Sequence, residues 1–291
     1  MQTSTVVVHG ATGAQGAPVV RHLLAAGHRV RAAVRNPAAC GPDPGAEAVF
    51  ADLSDPDSLT AAYTGADAVV VQLPLVFSAE AAVPQAEAVL AALKRSGVAR
   101  VVFNTGGSLV MERIGVPFVD ARALLATELP GVVRTATVVA PARTYMENLS
   151  APWSAPMVAS GGEVAYPLPA ELPVPWVALD DLGAAVAGLI ASPAPPPLRV
   201  VAGPQALTGD EAAAEIAAAL GRPVRWRTID VAECERMLAP FLGPEAAAGV
   251  AAAYAPLPPG APAPPEPDPA VIHTGSTTLR EWAERQPWPL S

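Results

Sequence analysis

Residues 5–16, TVVVHGATGAQG, decide the fold. Thr5 to Val8 are all β-branched and read as a strand. A turn with glycines at positions 10, 13 and 16 follows, and Val19, Val20, Leu23 and Leu24 then recur on one helical face up to a stop at Gly27. Strand, tight glycine turn and helix in that order form the context in which such a motif points to a dinucleotide. Gly10 permits the turn, Gly13 lets backbone approach a pyrophosphate, and Gly16 lets the helix pack against the strand. Thr12, Ala14 and Gln15 complete the cradle. The N-terminus of the helix adds unpaired N–H groups and the positive end of its dipole.

The chain has 291 residues, 51% of them hydrophobic, enough for one large domain or two small ones. A net charge of −9 argues against nucleic acid or an anionic membrane as partner. No apolar run reaches the roughly 18–20 residues of a membrane span, and the chain enters a strand too early for a signal peptide. Cys40 and Cys234 lie far apart in sequence, as expected of a reduced, cytoplasmic protein. His9, His22, His28 and His273 have no ligand spacing, so no metal is expected. Lys94 is the only lysine.

Downstream, strands alternate with helices. Strands are expected at 29–34, 46–51, 68–73, 100–103 and 132–139, with helices from Asp55-Pro56 onward and over 79–96 and 118–129. That alternation predicts an α/β fold with a parallel sheet. The second strand runs into Val34-Arg35-Asn36. An NAD site usually has an acid about 20 residues past the glycines, to hold the ribose 2′-hydroxyl. Here Arg35 stands in its place, and its planar fork suits a 2′-phosphate. NADP(H) is therefore the expected cofactor; the alternative for Arg35 is a solvated surface side chain. Asp52 and Leu53 follow the third strand, where an acid can meet the adenine or simply cap a loop. Gln72, Leu73 and Pro74 end the fourth strand, and Asn104 and Thr105 the fifth. Strand ends on this edge face the cofactor.

GATGAQG followed by VVRHLLAAGHRVRAAVRNP resembles the NmrA-like branch of the atypical short-chain dehydrogenase/reductases. So do ARTYMENL (142–149), VPWVALDDLGAAVAGLI (174–190), AGPQALTGDEAAAEIAAALGRPV (202–224) and TTLREWAERQ (277–286). The resemblance implies a doubly wound Rossmann sheet over residues 1–150. It also implies a smaller C-terminal α/β region over 151–291, interleaved with the sheet, that forms the substrate cleft. In the C-terminal half Thr208 with Glu211, and Thr278 with Glu281, read as capping boxes. Asp181 reads as the cap of a helix over 182–191. The proline-rich stretches 192–197 and 255–269 read as stiff surface connections.

A typical short-chain dehydrogenase pairs a tyrosine with a lysine four residues later. This chain cannot contain that pair, because position 90, four residues before Lys94, is leucine. By the resemblance, the position where many NmrA-like reductases keep a lysine falls near Arg122; the alternative for Arg122 is a solvated helix arginine. Arg122 can bind a ribose hydroxyl or phosphate but cannot give up a proton at neutral pH. Tyr145 follows the sixth strand, either as a hydroxyl donor to the substrate or as an aromatic wall. Pro141, Met146, Trp153, Met157 and Trp176 suggest an apolar lining or plain core. The expectation is an NADP(H)-dependent oxidoreductase that passes hydride to a small hydrophobic or aromatic quinone, enone or carbonyl. A non-catalytic redox sensor acting on a protein partner and a non-redox cyclase or epimerase are the rival readings. A homodimer is left open.

Overall fold

The computed structural model describes residues 3–38, 43, 45–107, 109–256 and 267–288. Cys40 and most of the second proline-rich stretch, 257–266, lie outside the described residues. The elements run β1 (Thr5–His9), α1 (Gly16–Ala25), β2 (Arg29–Val34), β3 (Ala46–Phe50), α2 (Pro56–Tyr63), β4 (Ala68–Gln72), α3 (Ala79–Ser96), β5 (Arg100–Asn104), α4 (Pro117–Val132) and β6 (Thr135–Pro141). They continue with α5 (Ala155–Gly161), β7 (Glu163–Tyr166), α6 (Leu179–Ala191), β8 (Leu198–Ala202), α7 (Gly209–Leu220), β9 (Arg225–Thr228), α8 (Val231–Leu242), α9 (Pro244–Ala252), β10 (Ile272–Thr274) and α10 (Leu279–Glu284).

The chain divides into two compact units. The first takes 1–141 and 179–201, the second 142–178 and 202–291. In the first, the strand order is β8-β6-β5-β4-β1-β2-β3, and each neighbouring pair is parallel. The order reverses between β4 and β1, which is where a doubly wound sheet opens a crevice beyond its strand ends. The inner strands are apolar on both faces. Val6, Val7, Val8, Val69, Val71, Val101 and Phe103 are fully buried, as strands covered by helices on both sides must be.

Local signals explain most helix ends. The Asp55 carboxylate accepts from the Asp57 N–H at 2.9 Å, and Pro56 occupies the first turn of α2, where a missing N–H costs nothing. Gly27 turns the chain out of α1 with φ of 82°. Two expectations need correction. α4 runs on through Pro130 to Val132, so β6 begins at Thr135, three residues later than its apolar run suggests. α6 begins at Leu179, so Asp181 lies inside its first turn, buried, rather than at its cap.

In the second unit β7 and β9 pair in parallel. One core gathers Met146, Tyr166, Trp176, Ile216 and Trp282; a second gathers Cys234, Leu238, Ala247 and Ala251. Both capping boxes form, Thr208 with Glu211 and Thr278 with Glu281. Burial pushes the Cys234 thiol up to about 11, so it behaves as a small apolar side chain. Among the described residues no helix is long and apolar enough to cross a membrane.

Candidate cofactor site

The glycine turn is built on close approach. Gly10 sits at φ of +62°, a left-handed conformation that favours glycine. Its carbonyl accepts from the Gly13 N–H at 2.9 Å, and the Gly13 carbonyl accepts from the Ala17 N–H at 2.9 Å. A Cβ placed on Gly16 would lie 2.1 Å from the Gly10 oxygen, so only glycine lets α1 start this close to the strand end. The turn is open on its other side: Thr12, Gly13 and Ala14 are exposed.

Beyond it lies a cavity of about 780 Å³. Four consecutive strand ends of the first unit supply its walls: His9, Gly10, Ala11 and Thr12 after β1; Val34, Arg35 and Asn36 after β2; Ala51, Asp52 and Leu53 after β3; Gln72, Leu73 and Pro74 after β4. Of the residues expected at the cofactor, this cavity brings together Gly10, Thr12, Arg35, Asp52, Leu53, Gln72, Leu73 and Pro74. Gly13, Ala14, Gln15, Gly16, Asn104 and Thr105 are not among its described lining. Gln15 and Asn104 meet each other instead: the Asn104 amide donates to Gln15 Oε1 at 2.8 Å, joining the glycine turn to the end of β5. Asn104 Oδ1 accepts from the Gly106 N–H at 3.1 Å. Thr105 is buried, its hydroxyl donating to the Gly107 carbonyl at 2.6 Å.

Charge is unevenly spread along the walls. Arg35 is exposed on the rim. The Asp52 carboxylate accepts from the Ser54 N–H at 2.8 Å and from the Ser54 hydroxyl at 2.7 Å. Those bonds, the backbone one first, together with the nearby Arg35 charge, hold its carboxyl below the usual range.

Sequence reasoning passed over His9, Asn36, Val76 and Gln85, all of which line the cavity. The signal for His9 was its place as the last residue before the first glycine. Gln85 had none, because only the packing of α3 brings it to the wall. His9 Nε2 and the Tyr63 hydroxyl are 2.7 Å apart, with the rings edge to face at 5.6 Å. Burial lowers the imidazole to about 4 and raises the phenol, so the pair is neutral near pH 7.

Arg122 and Tyr145 belong to different units. Arg122, on α4, sends Nε–H to the Thr105 carbonyl at 2.7 Å, Nη1 to the Phe118 carbonyl at 2.8 Å and Nη2 to the Leu73 carbonyl at 3.4 Å. Tyr145 is 6% exposed and bridges Val177 through its backbone. Met146 and Trp176 are core, each 1% exposed; Trp153 and Met157 pack partly buried on the second core of their unit. Lys94 is exposed in the last turn of α3. Among the described residues no group of three or more His, Cys, Asp or Glu could hold a metal.

Known proteins resemble this chain in sequence and in fold. The model of the NmrA-like family matches residues 2–251. The chain is 31% identical over 247 residues to an NAD(P)H azoreductase of Xenophilus azovorans, covering 84% of this chain and 83% of that one. Among solved structures it resembles a nucleoside-diphosphate-sugar epimerase of Staphylococcus aureus, with a TM-score of 0.74, 18% identity and coverage of 97% and 100%. It also resembles the Citrobacter sp. triphenylmethane reductase complexed with NADP(H), with a TM-score of 0.68, 22% identity and coverage of 86% and 88%. An Escherichia coli NADPH-dependent quinone oxidoreductase gives a TM-score of 0.67, 23% identity and coverage of 96% and 98%. The family model over residues 2–251 and the azoreductase relative show that the chain belongs to the NmrA-like family.

Proposed function

We propose that this protein is an NADP(H)-dependent reductase of small, electron-poor aromatic or conjugated acceptors. The observation that carries the reading is the cavity itself. It runs from the glycine turn past four parallel strand ends, with an arginine where an NAD-preferring site has an acid. The donor set fits a phosphorylated dinucleotide. Backbone N–H groups of residues 10–16 and the N-terminus of α1 would hold the diphosphate. Arg35 would pair with the 2′-phosphate. Asp52, ionised and already held by Ser54, would keep an acceptor for the adenine amino group, with Leu53 beside it. The backbone at Gln72 to Pro74, with Asn104 and Thr105, would line the ribose and nicotinamide.

When bound, the cofactor supplies hydride. What the chain lacks narrows the acceptor. Without a Tyr–Lys pair it has no phenol tuned by a lysine to protonate a simple ketone. Arg122 stays protonated and cannot serve in its place. Hydride acceptors that need little acid help, such as quinones, enones and azo bonds, are the substrates consistent with that. The azoreductase relative supports the same class. Tyr145, expected from the sequence as a hydroxyl donor or an aromatic wall, is the proposed source of the proton, and Tyr145→Phe tests that role.

Calorimetric titration with NADPH, NADP⁺, NADH and NAD⁺, on wild type and Arg35→Ala, tests the cofactor assignment. Arg35→Ala should cost about 1.5–3 kcal/mol for the NADP forms and little for the NAD forms. Consumption of NADPH with quinone and azo acceptors should follow. Equal binding by the mutant refutes the role of Arg35, and tight binding without turnover on any acceptor favours a redox sensor.

A further inference from the structure

The contacts of Arg122 suggest a task other than touching the ligand. Its guanidinium bonds carbonyls from three separate places: Thr105 just past β5, Leu73 just past β4, and Phe118 one turn back on its own helix. Its Cζ also lies over the Phe118 ring, 5.2 Å from the centroid. Phe118 in turn packs on Phe77, from the segment after β4, with centroids 4.9 Å apart. One turn of α4 therefore grips the segments that leave both strand ends. Asp120, on the same turn, accepts from the N–H groups of Ile114 at 2.7 Å and Gly115 at 3.2 Å, holding the far end of the segment after β5.

We propose that Arg122 is a positioning residue, which fixes the ends of β4 and β5 where the nicotinamide half of the cofactor is to lie. The inference rests on the NADP(H) reading for its consequence, but the grip itself is independent of any ligand. A lysine could not replace it. An ammonium is a compact point charge, whereas a planar fork can stack on a ring and donate in several directions at once. Those carbonyls point at a permanent cation, which ties down two otherwise irregular segments.

Two variants separate positioning from direct contact. Arg122→Lys keeps the charge and loses the planar fork; Arg122→Met keeps the length and removes the charge. Hydrogen exchange is read first, on nucleotide-free protein. Segments 73–78 and 105–107 should exchange about tenfold faster in both variants, and the turn at 10–16 should be unchanged. NADPH consumption should fall by about 100-fold in both, because a displacement on the order of 1 Å at the reacting centre costs that much. Failure of Lys to rescue is the expected result. Wild-type exchange and turnover in Arg122→Lys, with loss in Arg122→Met, would mean that the charge meets the ligand directly and would overturn the proposal. If Arg122→Met does not fold, Phe118→Leu, which removes the stacked ring, should raise exchange in the same two segments. Unchanged exchange there and in Arg122→Lys overturns the proposal equally. Absence of NADPH binding to wild type refutes the cofactor reading and leaves the exchange result to stand alone.

Discussion

At the scale of single residues, the glycine turn and the buried histidine make contrasting demands. Gly16 needs room: with its Cβ 2.1 Å from the Gly10 oxygen, even alanine must push α1 away from the turn. Gly16→Ala should cost about 2 kcal/mol, in the range of overpacked sites, and weaken NADPH with it; thermal unfolding and titration measure both. His9 instead makes stability depend on pH. The unfolded imidazole titrates near 6.5 and the folded one near 4, because burial disfavours the cation. Between those values the unfolded chain binds more protons, so stability falls as pH falls through that window. With one proton at stake across the window, the loss is on the order of 3 kcal/mol. Chemical denaturation of wild type from pH 7 to pH 4 should show it, and His9→Phe should flatten that part of the profile. A slope that persists in His9→Phe assigns the effect elsewhere. The demand on Gly16 was legible in sequence because its neighbours lie within six positions. The state of His9 was not, since Tyr63 is 54 positions away.

Among elements, the β7–β9 pair shows how a short sheet is held by charge. Glu163, half-buried on β7, accepts from Arg225 at 2.6 Å and from Arg227 at 2.7 Å. Arg227 also reaches Glu233 on α8, at 2.9 Å. The Arg227 bond, with Arg225 and despite partial burial, holds the Glu163 carboxyl below the usual carboxylate range. A depressed carboxylate stabilises above its unfolded pKa and loses that stabilisation as pH falls through the folded value. Thermal midpoints should therefore fall below about pH 4.5, near the usual carboxylate pKa, and the fall should be smaller in Glu163→Gln. At pH 7 the same variant should be the less stable protein, since Arg225 and Arg227 lose the carboxylate they share and only Arg227 keeps another, Glu233. Strand and helix types were mostly legible, because β-branched runs and capping residues act locally. The boundary between α4 and β6 was not. Pro130 reads as a helix stop, yet the packed face carrying Leu125 and Leu129 carries the helix past it. The grip of Arg122 was hidden for a related reason: two of its three carbonyls belong to other elements, and a carbonyl has no residue-type signal.

Over the whole chain, the first unit is completed only when residues 179–201 return to it. The return is held by close contact as well as by pairing of β8 with β6. Arg100, on β5, donates to the carbonyls of Leu189 and Ile190 near the end of α6. Gly183, near the start of α6, faces α1 so closely that a Cβ would lie 2.7 Å from the Pro18 carbonyl carbon and 2.8 Å from its oxygen. Two effects of Gly183→Ala oppose each other. Helix propensity alone favours alanine by about 1 kcal/mol. The clash is with backbone, which cannot rotate away as a side chain can, so the helices must separate and both lose contact. The second effect should win, giving net destabilisation of about 1–3 kcal/mol. Because α1 carries the glycine turn at its head, the same substitution should speed hydrogen exchange in α1 and weaken NADPH, although Gly183 is not among the residues lining the cavity. Net stabilisation would show that α6 has slack against α1, and the returning segment would then matter to the site only through β8.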